Sequence, residues 1–354
     1  MKFDQQLTVR IRRAIDERVF PGCVVGIVRR GGERLVLPMG KFTYESSAAP
    51  MQETTVFDVA SITKAIPVSC VALRLMADGR LRLDGKVSDY VAGFSNAFRD
   101  QVTIFHLLTH TLEFAGRLSA HKDLPPADLL RAIVTQELTS APGAGYSYSN
   151  TASILLGMVI ERAVNQPLPQ VADQLFFKPM RMFRTTFFPE HIEKSSVAPT
   201  ELDPWRGRTL QAEVHDESAW ALRRIMVAGS AGLFSTVPDL LVFVRMLLNS
   251  GEHAGARVLE PETVRLMHTN QLEHIGRSAG LGWELFQPRF MGSHCTPHTF
   301  GKTGFTGCSV IIEPEAGFGF VLLSNCTFPQ RRPDRTMIDE VRSECADILF
   351  AGLE

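Results

Sequence analysis

Apolar positions follow two periods along the chain, and the places where the period changes mark its organisation. Phe3, Leu7, Ile11 and Ile15 recur every fourth residue, which predicts an amphipathic N-terminal helix. Pro21-Gly22 breaks it. Residues 23–28 are apolar and β-rich, Arg29-Arg30-Gly31-Gly32 is turn-like, and 33–38 predict the second arm of a hairpin. From Val59 to Met76 the period becomes helical. Val68, Val71, Ala72, Leu75 and Met76 form one broad apolar face and Leu73 adds another side, so this helix is expected to be buried and to stop near Gly79. Pro67 lies two turns inside it, removes one backbone hydrogen bond and predicts a kink.

Further helical patterns cover 101–109, 127–138, 151–165 and 170–177, separated by loops such as Ala141-Pro142-Gly143-Ala144-Gly145. Residues 189–216 are polar and loop-like. Strands are predicted at 229–235, 281–286, 308–313 and 318–324, the last two joined by a turn at Glu313-Pro314-Glu315-Ala316-Gly317. Thr236-Val237-Pro238-Asp239 reads as a capped helix start running to about Asn249, and a closing helix covers about 335–351. Strands at both ends with helices between predict an α/β domain built from 1–58 and 226–354. A helical domain, 59–225, is inserted in it, and the active site is expected in the cleft between the two. There is no repeat and no low-complexity segment.

Composition narrows the function classes. The chain has 354 residues, 45% hydrophobic and 21% charged, with a formal net charge of −1. That fits a globular protein with a sizeable core and gives no bulk charge for nucleic acid or an anionic membrane. Charges interrupt the first 20 residues, so no signal peptide is read, and no membrane span is expected. With Met1 as the native start, the expected location is the cytoplasm. The six cysteines are dispersed without a CxxC pair and are read as buried hydrophobes.

Three short motifs carry candidate chemistry. Ser61-Ile62-Thr63-Lys64 places a serine and a lysine at i and i+3, on one face of a helix start. The helix dipole favours an oxyanion there, and burial pushes a lysine toward its neutral, proton-accepting form. A capping serine with a solvated lysine gives the same spacing, and Ser119–Lys122 repeats the pattern in a polar region where it is read as accidental. Tyr148-Ser149-Asn150 sets a phenol and an amide on the same side of an extended segment, or is an ordinary turn before a helix. Lys302-Thr303-Gly304 lacks the upstream glycine and the following helix of a phosphate loop, since Thr296 stands where glycine is needed. On an edge strand it offers a cation and a hydroxyl to a bound anion. His106 and His110 have zinc spacing, but Leu107 replaces the required Glu, so they are read as packing under the site. His294, Cys295 and His298 are read as a loop rather than a metal site. No G-x-S-x-G elbow is present.

The order S-x-x-K, Y-x-N, K-T-G resembles the serine β-lactamase and penicillin-binding-protein superfamily, in the tyrosine form of class C β-lactamases and family VIII carboxylesterases. Residues 102–111 (VTIFHLLTHT), 214–217 (VHDE), 229–236 (GSAGLFST) and 321–325 (VLLSN) are similar to further stretches of that family. The resemblance runs from Pro21-Gly22 to Asn325. It implies a β-lactamase-like fold, an antiparallel sheet flanked by helices plus the inserted helical domain. It implies a serine hydrolase acting through an acyl-enzyme on Ser61, with Lys64 and Tyr148 sharing the role of base. Asn150 is expected to orient Lys64 and the substrate, and Lys302 and Thr303 to hold a substrate carboxylate or polarise Tyr148. The N–H groups of Ser61 and of Phe305, after Gly304, are expected to form the oxyanion hole.

No cofactor or metal is required by this reading, and the partner is a small ester, amide or lactam. Esterase, β-lactamase, D-amino-acid or DD-peptidase and acyl transferase all share these residues, and a catalytically weak penicillin-binding or sensing module also fits; an esterase-like hydrolase is the first expectation. Two positions depart from the family pattern. Lys302 stands where many esterases and peptidases have His, which leans toward carboxylate recognition. Leu112-Glu113 replaces Ser-Gly, and a Glu near the cleft is expected to reshape substrate access and disfavour anions.

Overall fold

The structure, a computed structural model, describes residues 3–352; the side chain of Phe3 lies outside the described residues. In chain order it comprises α1 (Phe3–Asp16), β1 (Gly22–Arg29), β2 (Arg34–Gly40), β3 (Phe57–Asp58), α2 (Cys70–Ala77), α3 (Ile104–Thr109), α4 (Pro126–Val134), α5 (Asn150–Val164) and α6 (Leu168–Ala172). There follow β4 (Glu201–Asp203), β5 (Arg208–Leu210), α7 (Glu217–Leu222), β6 (Phe234–Ser235), α8 (Val237–Leu248), β7 (Glu252–His253), β8 (Ala256–Arg257) and α9 (Pro261–Met267). The chain closes with β9 (Glu284–Leu285), α10 (Pro288–Met291), β10 (Phe300–Thr303), β11 (Ser309–Glu313), β12 (Phe318–Ser324) and α11 (Thr336–Ala351).

Among the described residues the main sheet has six strands in the order β2-β1-β12-β11-β10-β9. Every pairing in it is antiparallel, with Cys23 opposite Ser324 and Lys302 opposite Val310. Both faces are covered, which is why β1 and β12 are continuous apolar runs. In β1, Val24 and Val28 join a core shared with α8, while Cys23, Val25 and Ile27 join Leu7 and Ile11 of α1 and Val341 and Cys345 of α11. A Cβ on Gly26 would lie 2.2 Å from Val237, and one on Gly319 would lie 2.0 Å from Val244. These two glycines let α8 lie directly on the sheet. Each fully buried aliphatic side chain here adds about 1.5–3 kcal/mol.

Three expected elements are shorter or more broken than their apolar patterns suggest. Within 229–235 only Phe234–Ser235 pairs as a strand, with β3, because neighbouring backbone groups are committed elsewhere: Leu233 O accepts from Val59 N (3.1 Å) and Leu233 N donates to Thr63 Oγ1 (3.2 Å). Within 281–286 only Glu284–Leu285 is a strand, since Gly280 and Gly282 pack against Met267 O and Ser69 too closely for a Cβ. The long helix from 59 is broken as Pro67 implies. Ala60–Lys64 form a 3₁₀ turn, Ile66 leaves helical angles (φ −112°, ψ 111°) before a cis bond to Pro67, and α2 starts at Cys70. Ser69 Oγ donates to Lys64 O (2.7 Å) across the break. Residues 60–77 are long and apolar enough to cross a membrane (mean hydropathy 1.4), yet 78% of that window is buried inside the fold, as a core segment is.

Candidate active site

Ser61 sits where β3 turns into the broken helix. Ala60 before it takes a left-handed φ of +48°, a conformation that costs on the order of 1–3 kcal/mol in a non-glycine residue. Asp58 holds the turn. Its Oδ1 accepts from Ala60 N (2.8 Å), its Oδ2 accepts from His215 N (2.9 Å), and its carbonyl accepts from Thr306 Oγ1 (2.8 Å). Burial pushes the Asp58 carboxyl up, against the pull of those N–H donors. Nothing in the local sequence marks this aspartate; it becomes visible only once β3 and the 304–307 loop are side by side.

Lys64 is 2% exposed and donates to Ser61 Oγ (2.8 Å) and to Ser230 O (2.7 Å). No carboxylate lies at ion-pair distance from it among the described residues. Burial lowers its pKa, Tyr148 and Asp216 oppose that, and Lys302 adds to it; the result is a lysine displaced toward its neutral form. Asn150 does not orient Lys64 as expected. Its Nδ2 donates to Asp216 Oδ2 (3.0 Å), while Asp216 Oδ1 caps α7 by accepting from Ala219 N (2.9 Å). The lysine is aimed by the Ser230 carbonyl, a backbone group with no signature in sequence.

Tyr148 directly precedes Ser149, whose hydroxyl caps α5 by accepting from Thr151 N (3.0 Å). Tyr148 is 44% exposed and lines the cleft. Lys302 Nζ and Lys64 Nζ lie 4.4 and 5.2 Å from its ring centroid. Desolvation pushes the phenol up, but the charges of Lys302 and Lys64 and a hydrogen bond with Ser61 outweigh it and leave its pKa below the usual value. His110, at the left-handed end of α3, packs its ring 4.8 Å from that of Tyr148. Burial and the two lysines hold this histidine neutral. Its zinc-like spacing from His106 thus resolves into support for the phenol; His106 caps the other end of α3, its Nδ1 accepting from Thr103 N.

The opposite wall comes from β10. A Cβ on Gly304 would meet Val59 O at 2.4 Å, so glycine lets this strand end lie against the nucleophile turn. Arg342 of α11, fully buried, donates to Gly304 O (3.0 Å) and Cys308 O (2.8 Å) and fixes that approach. Phe305 follows, its ring set 4.7 Å from that of His215 and 5.3 Å from the Arg331 guanidinium. Beneath it His215 Nε2 meets Glu201 Oε2 (2.7 Å), and Arg331 bonds both Glu201 and Glu217. Burial pushes Glu201 up, but His215, the Arg331 N–H and the Arg331 charge prevail and bring it to about 2.

Lys302 is 2% exposed and is not a free cation. Its Nζ donates to Glu284 Oε1 at 2.8 Å. Burial lowers its pKa, and the Glu284 carboxylate more than reverses this, holding the ammonium charged. Glu284 was not foreseen, because its adjacency depends on β9 pairing with β10. Glu113 is exposed on the surface and absent from the cleft lining, and Leu112 is buried in the core. Ser119 and Lys122 are absent from the cleft lining, and Lys122 rests on the Trp205 ring.

Ser61, Tyr148, Asn150, Thr303 and Phe305 therefore line one cleft of about 640 Å³, with Lys64, Lys302 and Gly304 in its walls. A serine hydroxyl bonded to a pKa-lowered lysine, beside a pKa-lowered phenol, is the equipment of a nucleophilic acyl-transfer site. A family model described as Beta-lactamase matches residues 9–342, and the chain belongs to that family. A putative D-alanyl-D-alanine carboxypeptidase of Escherichia coli (strain K12) is 28% identical over 324 residues, covering 80% of this chain and 74% of that one. Among solved structures, EstCE1, described as a hydrolase with promiscuous acyltransferase activity, matches with a TM-score of 0.75 at 23% identity, covering 96% of this chain and 98% of that one. The octameric penicillin-binding protein homologue from Pyrococcus abyssi matches with a TM-score of 0.77 at 23% identity, covering 98% and 77%. These two likenesses establish the β-lactamase-like fold.

Proposed function

We propose that the protein is a serine hydrolase that cleaves an ester or amide through an acyl-enzyme on Ser61. The observation that carries this is the 2.8 Å contact between Ser61 Oγ and a buried Lys64 that has neutral acceptors only. Lys64 and Tyr148 form one coupled proton reservoir: as Ser61 Oγ bonds to the acyl carbon, its proton passes into the pair. The carbonyl oxygen becomes an oxyanion, received by the N–H groups of Ser61 and Phe305, each worth roughly 3–4 kcal/mol of barrier. Tyr148 returns the proton to the leaving oxygen or nitrogen as that bond breaks. Water, deprotonated by the same pair, then attacks the acyl carbon, the bond to Ser61 Oγ breaks, and the pair returns the proton to that oxygen as the acid leaves. Asn150, steadied by Asp216, is the amide that meets the acyl group, and Thr303 offers its hydroxyl at the cleft lining.

An uncharged ester is the first substrate class. The peptide reading is second and is favoured by the Escherichia coli relative, named for cleavage between D-alanines. Labelling with a fluorophosphonate, read by intact mass, tests the nucleophile: wild type gains one adduct and Ser61→Ala gains none. Equal labelling of both sinks the assignment. Rates on a short p-nitrophenyl ester, a chromogenic cephalosporin and an acylated D-Ala-D-Ala peptide rank the substrate classes.

A further inference from the structure

We propose that Glu284 sets the charge preference of the cleft, by neutralising Lys302 and so turning away substrates that carry a carboxylate on the leaving group beside the scissile bond. The proposal rests on the hydrolase reading above and names its substrate class: neutral esters and amides. Lys302 is buried and its ion-pair partner is Glu284, at 2.8 Å. Glu284 is itself part of the cleft lining, with 18% of its side chain exposed, so its charge faces whatever enters. Arg289 approaches its other oxygen at 4.0 Å while also paired with Asp339. A carboxylate arriving at Lys302 must therefore displace a charge-assisted hydrogen bond or sit beside a fixed like charge. Both penalties fall on anionic substrates alone. A neutral ester meets a locally compensated wall and loses nothing. Arg277, Arg331 and Arg335 also line the cleft, but Arg277 and Arg335 are exposed, so an anion on them stays in water and gains little, and Arg331 is already paired with Glu201 and Glu217.

The test uses a thioester of thioglycolic acid and the same thioester with its carboxylate capped as a methyl ester, thiol release being followed by disulfide exchange. Wild type is expected to favour the capped substrate at least tenfold in kcat/KM. Glu284→Gln should raise kcat/KM for the free carboxylate at least tenfold, with no rise on the capped one. Arg335→Ala should leave the wild-type ratio in place. A wild-type preference for the free carboxylate overturns the proposal, and so does a ratio unmoved by Glu284→Gln. Should that variant not fold, the wild-type ratio decides. Ser61 labelling by the fluorophosphonate without turnover of either thioester overturns the charge proposal alone; absence of both labelling and turnover overturns the hydrolase reading beneath it.

Discussion

Lys64 and Lys302 are equally buried, 2% exposed each, on opposite walls of one cleft, yet burial leaves them in opposite states. Lys64 points at a hydroxyl and a backbone carbonyl; burial lowers its pKa by more than Tyr148 and Asp216 restore, so its pKa falls. Lys302 points at a carboxylate and its pKa rises. Burial alone therefore does not make a lysine a base; the charge of its partner decides. On the proposed mechanism the first wall moves a proton, and the second holds a charge still. Tyr148 lies within reach of both ammonium groups and reports their sum.

Five substitutions test that contrast, from the largest effect to the smallest. Ser61→Ala removes the atom both walls serve, and kcat should fall roughly 10⁵- to 10⁶-fold, as loss of a nucleophile does elsewhere. Measurable burst acylation in that variant breaks the comparison at its root. Lys64→Arg keeps a cation that stays protonated, so kcat should drop about 10²- to 10⁴-fold. The parallel change Lys302→Arg keeps the charge-assisted contact with Glu284 and should cost less than about tenfold. Equal losses in pre-steady-state acylation would mean the two lysines do one job.

Gly304→Ala forces a Cβ to within 2.4 Å of Val59 O and pries the walls apart. It should destabilise the fold by about 1–3 kcal/mol in urea titrations and slow acylation alongside. The smallest effect concerns support beneath Phe305. Glu201 has a folded pKa of about 2, below its ordinary 4.5, so its contribution is full above pH 4.5 and is lost as pH falls toward 2. Unfolding midpoints of Glu201→Gln should accordingly change less over that acid range than those of wild type.

What sequence alone reveals divides along the same line. Ser61, Lys64 and Tyr148 are legible because their order along the chain and their types define a chemistry. The sheet is legible where strands are buried on both faces, as β1, β11 and β12 are. Ser230 is not, because it contributes a carbonyl that every residue possesses. Glu284 is not, because the pairing that sets its strand beside Lys302 leaves no mark in the local sequence. Asp58 and Arg342 act through partners far along the chain, and only the folded topology brings them to the nucleophile turn and to Gly304. Glu113 shows the reverse: a charge beside a family segment is exposed and takes no part in the cleft lining.

The clamp on Gly304 also has a consequence for biosynthesis. Arg342 belongs to the last described helix, and β1, near the start, pairs with β12 near the end. During translation the nucleophile, its lysine and its tyrosine all leave the ribosome well before the residue that pins the opposite wall. A partly made chain therefore carries the reactive groups without the cleft, and hydrolytic competence waits for α11. Ribosome-stalled chains ending before and after that helix should differ sharply in fluorophosphonate labelling of Ser61.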